Sequence, residues 1–298
     1  MSPPLIFDRA LMRRRLSRAA QSSPAEFLIA HAADDLAQRL VPILRSFPLA
    51  IELGGVTVHG ARALMGSAKV ETVFRLAASP PSWRCGFLSA VADEEVLPLG
   101  DASVDLVVSL LSLQAVNDLP GALAQIKRAL RPDGLFIACL LGAETLTELR
   151  QSLAEAEAEL SAGVSPRVAP FADARELGAL MQRVGFALPV TDVEKLTVRY
   201  GDAFGLMRDL RAMGMTNPLV ERARTPLRRA TLFRAAQIYA ERFADRDGRL
   251  RATFDLVWLS GWAPHASQQR PLRPGSAKTR LADALGVDEI KTGEKAKP

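Results

Sequence analysis

From Phe47 to about Gly142, short apolar runs alternate with amphipathic or polar stretches, the signature of strand-helix-strand units that build a parallel sheet. The runs predict strands at Leu49–Leu53, Val70–Leu76, Phe87–Val91, Asp105–Leu111 and Leu135–Leu141. The near-continuous apolarity of DLVVSLL is what a strand covered by helices on both faces requires. Between the last two strands Leu123, Ile126, Ala129 and Leu130 recur on one helical face, which predicts a helix over Pro120–Leu130. Arg131-Pro132-Asp133-Gly134 then predicts a turn, with proline fixing φ and glycine taking positive φ at entry to the strand.

Beyond Thr145 the pattern turns helical. QSLAEAEAEL runs to Ser161-Ala162-Gly163 and DARELGALMQRVG to Gly185, each expected to close on a glycine C-cap. Val193–Tyr200 and Thr253–Trp258 read as strands, with helices between them at Asp202–Met213 and Pro226–Phe243. The expected organisation is α/β: N-terminal helices over 1–46, a doubly wound sheet over 47–200 and 250–262, a helical insert over 201–249 before the last strand, and a C-terminal loop and polar tail over 263–298. The stretch DEIKTGEKAKP is charged enough to stay unfolded.

With 298 residues, 48% of them hydrophobic, the chain is long enough for a full core. Its apolar runs fall short of the roughly 20 residues that a membrane-spanning helix needs, so no span is expected, and peripheral association stays open. The N-terminal MSPPLIFDRALMRRR is basic but lacks an apolar signal core, and reads as a helix of the mature chain. Cys85 and Cys139 offer no disulfide framework, which fits a reducing cytoplasm. His31, His59 and His265 show no metal-ligand spacing, so no metal is expected. A net charge of +5 and the cluster Arg222, Arg224, Arg228, Arg229 and Arg234 raise a nucleic-acid site, but aromatics make up only 6% and do not interleave with it. A solvated helix face is the better reading, and no nucleic-acid partner is expected.

In a doubly wound sheet the ligand lies at the carboxyl ends of the strands, where the first strand-to-helix turn brings backbone against it. That turn is Glu52-Leu53-Gly54-Gly55-Val56-Thr57-Val58. A nucleoside-binding version carries glycine at 54, 56 and 58. Valine at 56 and 58 predicts a different turn, because a β-branched residue resists positive φ. At the end of the second strand, where a carboxylate normally accepts from ribose hydroxyls, stand Ala77, Ala78 and Ser79. After the third strand Asp93 is placed either to accept from an adenine amino group or, with Glu94 and Glu95, to cap a helix.

The segment ADEEVLPLGDASVDLVVSLLSLQAVNDLPGALAQIKRALRPDGLFIACLLGAETLTELRQSL resembles the methyltransferase-fold assembly factors of respiratory complex I, as do IFDRALMRRR, MRDLRAMGMTNP and GWAPHASQQRP. The resemblance covers nearly the whole chain. It implies a Rossmann-like class I methyltransferase fold, S-adenosyl-L-methionine as family cofactor, and a protein client that is a complex I subunit, with arginine modification as the associated activity. By position it implies cofactor contacts at Glu52, Gly54, Asp93 and Glu94, and Gly55 is a further candidate contact that would compensate for the valines. The chain departs from the family at Val56, Val58 and Ala77, and Gln114-Ala115 replaces a His-Trp pair, so cofactor binding is expected to be weak or lost. The intact C-terminal element suggests a partner or substrate surface built on Trp262, His265, Ser267, Gln268 and Arg270. An anchored tail is the equal alternative. Three functions therefore compete: a methyltransferase-type enzyme acting on a protein in complex I assembly, a non-catalytic assembly chaperone with a degenerate site, and a malonyl-carrier-protein methyltransferase of biotin synthesis.

Overall fold

Seven strands form one sheet in the order β3-β2-β1-β4-β5-β7-β6. The computed structural model describes residues 5–22, 24–55, 57–78, 86–161, 163–269, 279 and 281–288. The strands are β1 (Phe47–Leu53), β2 (Val70–Ala77), β3 (Leu88–Val91), β4 (Val104–Leu110), β5 (Leu130–Leu141), β6 (Ala187–Tyr200) and β7 (Leu250–Trp262). The first five are parallel, whereas β7 lies antiparallel between β5 and β6. The order reverses between β1 and β4, which opens a crevice at their carboxyl ends.

Helices α1 (Arg9–Gln21), α2 (Phe27–Leu40) and α3 (His59–Gly66) belong to the N-terminal half. They are followed by α4 (Leu119–Ala129), α5 (Thr147–Leu160), α6 (Ala174–Val184), α7 (Ala203–Ala212), α8 (Arg229–Phe243) and the short α9 (Leu281–Leu285). Each sheet face has its own core. Leu36 and Leu40 of α2, Leu64 of α3, Leu153 of α5 and Ile238 of α8 pack on one face against Ala50, Leu106 and Phe254. Leu123 and Ile126 of α4 and Leu177 and Met181 of α6 pack on the other against Ile51, Val107 and Phe136. The alternation along β1 and β4 sends successive side chains into opposite cores, which is why these strands read as unbroken apolar runs. Two helices, α7 and α8, stand between β6 and β7.

Two turn expectations are corrected. In the 131–134 segment it is Asp133 that takes positive φ (64°), and Gly134 is needed because a Cβ there would press on the Arg131 carbonyl at 2.8 Å. The segment is part of β5, whose register with β4 shifts at this point. Helix α5 closes on Ser161 in extended conformation, not on a glycine, whereas α6 does end on Gly185 at φ 87°.

The chain divides into two compact units, Met1–Pro264 and His265–Pro298. Within the second, the His265 Nδ1 and Ser267 Oγ atoms lie 2.7 Å apart, and Gln268 Oε1 accepts from the His265 N–H at 3.1 Å. The polar tail beyond Asp288 lies outside the described residues. No helix among the described residues is long and apolar enough to cross a membrane.

Candidate active site

A cavity of about 720 Å³ opens at the carboxyl ends of the parallel strands. Its floor includes Gly54 and Gly55 after β1, Ala77 and Ala78 at the end of β2, and Leu111, Ser112 and Gln114 after β4. Its roof is drawn from α1, the start of α2, α7 and the segment Met213–Pro218. The walls are mainly apolar, and Met12, Met207, Met213 and Met215 line them, side chains flexible enough to repack around a guest. Leu111 and Leu146, both lining residues, hold positive φ (53° and 54°), a strain that non-glycine residues keep only where the surroundings enforce it.

The first turn is built around one left-handed residue. Gly54 takes φ 80°, and a Cβ there would collide with the Ser112 side chain. Val58 sits at φ −98° and ψ 4°, and α3 begins at the next residue. Val58 therefore makes no left-handed step. Val56 falls outside the described residues.

Glu52 is buried beneath this turn, where the Arg75 Nε–H donates to its carboxylate. The same guanidinium donates to the carbonyls of Gly55, at 2.9 Å, and Thr57. Burial holds the Glu52 carboxyl above its ordinary range even with Arg75 beside it. Arg75 thus straps the turn to β2 from below, and Glu52 does not line the cavity.

The acids after β3 are engaged in the same way. Arg9 of α1 donates to Asp93 Oδ1 at 2.6 Å and to Glu94, and Arg13 donates to Asp93. Glu94 also accepts from Ser112 Oγ at 2.9 Å and is buried. Burial pushes the Asp93 carboxyl up, but the Glu95 N–H and the two guanidiniums outweigh it, and the group stands below the usual aspartate range. Asn117 Oδ1 accepts from the Ile6 and Phe7 N–H groups, both at 2.8 Å, and the Asp8 N–H donates to the Pro218 carbonyl at 2.8 Å. These bonds fix α1 between the acid loop and the 213–218 roof.

Of the five expected cofactor contacts, Gly54 and Gly55 line the cavity, and Glu52, Asp93 and Glu94 do not. Their partners Arg9, Arg13 and Arg75 were missed in the sequence. The signal was the basic run RALMRRR, whose complement is the acidic ADEE, but pairing across 84 positions is invisible to local patterning. Trp262 ends β7 opposite Leu135, six residues before the cavity-lining Leu141 of β5, and is half-buried. Arg270 and Ser79 lie outside the described residues. Arg234, from the basic cluster, is paired with Glu159 at 2.6 Å, and Arg222 with Asp8 at 3.0 Å. No group of metal-ligating side chains occurs among the described residues.

Residues 62–138 match the family described as "Methyltransferase domain". Over 97% of this chain and 92% of the relative, the sequence is 37% identical to the mitochondrial arginine-hydroxylase NDUFAF5 of Danio rerio. A malonyl-[acyl-carrier protein] O-methyltransferase of Xylella fastidiosa is 33% identical over 87% of this chain and 89% of its own length. Among solved structures, the YcgJ protein of Bacillus subtilis superposes with a TM-score of 0.53 at 13% identity, over 79% of this chain and 99% of that one. That likeness speaks for the fold alone.

Proposed function

The chain belongs to the methyltransferase-fold family of complex I assembly factors that includes NDUFAF5, and from that premise we propose that its cavity modifies an arginine side chain of a complex I subunit during assembly. The observation that carries the proposal is the cavity itself: large, mainly apolar, and set at the carboxyl edge of the sheet, where this fold places its chemistry. The relatives' name, arginine-hydroxylase, supplies the substrate group.

S-adenosylmethionine is the cofactor that the family resemblance implies. The residues present give it room but a poor polar grip. No carboxylate stands at Ala77 or Ala78, and Asp93 and Glu94 are held by Arg9 and Arg13. A hydrogen bond to a charged group contributes about 1.5–3 kcal/mol, so binding weakens by about 10- to 150-fold for each such bond that the cleft does not offer. Weak or absent cofactor binding is therefore part of the proposal, and no chemical step is routed through it. The same observation favours a second reading, a chaperone that shelters its client without altering it. Under either reading the segment that carries His265, Ser267 and Gln268 is the proposed partner-contact element, and the proposed setting is the reducing cytoplasm, where the buried Cys139 thiol stays free.

Deletion of the gene in a host that assembles complex I tests both readings. Loss of assembled NADH-quinone oxidoreductase on native gels, restored by the wild-type chain, is expected. Mass spectrometry of the purified complex should find an arginine bearing one added oxygen atom in the wild type and not in the deletion strain, the oxygen being drawn from dioxygen with a two-electron reductant of the host cell and the second atom leaving as water. Normal assembly without the chain would defeat both readings, and restored assembly with an unmodified complex would leave only the chaperone.

A further inference from the structure

Three arginines and a single carboxylate, Glu26, are among the described residues that line the cavity. Arg75 is occupied by Glu52 and two carbonyls, and Arg167 is held by Glu157 at 2.8 Å. Arg211 is exposed. Glu26 stands at the N-cap of α2 but makes no capping hydrogen bond with its side chain. Glutamate is also not among the residues favoured at that position, so capping does not explain it. Its Oε2 lies 2.9 Å from His59 Nε2, on the first residue of α3. The side chain, 42% exposed, belongs to a residue of the cavity lining and is steadied by His59 without a guanidinium or ammonium partner among the described residues.

A second acceptor belongs to a residue of the same lining. Gln114 donates through Nε2 to the carbonyl of the strained Leu111 at 2.7 Å, which fixes its amide, while its Oε1 is buried and receives no hydrogen bond among the described residues. A buried acceptor without a donor costs free energy, and a guest carrying N–H groups would relieve it once the amide turned toward the cavity. An arginine side chain offers five N–H donors, no acceptor, and an apolar stem suited to methionine walls.

We propose that Glu26, steadied by His59, and Gln114 form the acceptor pair that receives the guanidinium of the substrate. The assignment rests on the arginine-directed reading above and deepens it. The test uses the full chain with two probes, N-acetyl-arginine methylamide and its uncharged isostere N-acetyl-citrulline methylamide, followed by saturation-transfer NMR. The wild type should prefer the arginine probe. Glu26→Gln should weaken it by about tenfold or more, as removal of a charge-assisted bond does, while leaving citrulline binding and the thermal midpoint unchanged. Gln114→Ala should weaken both probes. Equal arginine binding by the wild type and Glu26→Gln would overturn the role of Glu26 and leave the arginine-directed reading standing. A wild type indifferent to the two probes would defeat that reading too. A Glu26→Gln defect confined to S-adenosylmethionine titration would assign the carboxylate to the cofactor's ammonium group and overturn the proposal.

Discussion

A methyl group on residue 54 would have to occupy the space of the Ser112 side chain at a backbone angle, φ 80°, that L residues resist. Gly54→Ala should therefore destabilise the fold by about 2–4 kcal/mol, combining the left-handed penalty with overpacking, and urea unfolding would measure it. Arg75→Met leaves Glu52 buried without its counter-charge, which should cost about 3–5 kcal/mol. The pH dependence has a definite sign. Glu52 has a folded pKa raised above the ordinary value, so its contribution is full below that value and is lost as pH rises through the folded one. Without Arg75 the raised value climbs further, and the variant should lose more stability at neutral pH than near pH 4 to 5. At this scale the sequence disclosed which positions were special but not what they face. Gly54 was legible from its place after an apolar strand. That Glu52 would be sealed under Arg75 was not legible, because β2 brings in a partner 23 residues away.

Helix α1 is held in place mainly through its charges. It buries Ala19 and follows Phe7, which is also buried, but Arg9 and Arg13 reach Asp93 and Glu94 across the cleft. Replacing both arginines by glutamine should speed amide exchange over Arg9–Gln21 by about tenfold or more, with the strands unaffected, as hydrogen-deuterium exchange would report. If α1 exchanged no faster, the pairs would be incidental. Strand β4 was legible because it is buried on both faces and β6 because its exposure alternates, and helix α6 because Asp173, Glu176 and Gly185 mark both of its ends. The 131–134 segment departs from its sequence pattern for a physical reason. Proline and glycine suggest a free turn, yet Asp133 makes the left-handed step and its N–H donates to the Ala263 carbonyl at 3.1 Å, which joins the segment to the end of β7.

Across the whole molecule, the parallel strands of a doubly wound sheet were legible from the succession of apolar runs, whereas the strand order and the antiparallel β7 were not, and the helices α7 and α8 supply lining and packing beyond the sheet. The unit Met1–Pro264 contains both hydrophobic cores. Truncation after Pro264 should therefore leave the thermal midpoint nearly unchanged and abolish rescue of complex I assembly, separating folding from partner recognition in one chain. The cavity's volume could not be read from the sequence, since it arises where α1, α7 and the 213–218 segment roof the strand ends. What that roof does to the nucleoside half of the cleft decides between a working and a degenerate cofactor site. Calorimetric titration of the purified wild-type chain with S-adenosylmethionine is the direct measurement. Arginine-held acids and an alanine at the ribose position predict a dissociation constant near 1 mM or weaker, whereas saturable binding at about 1 μM would contradict it.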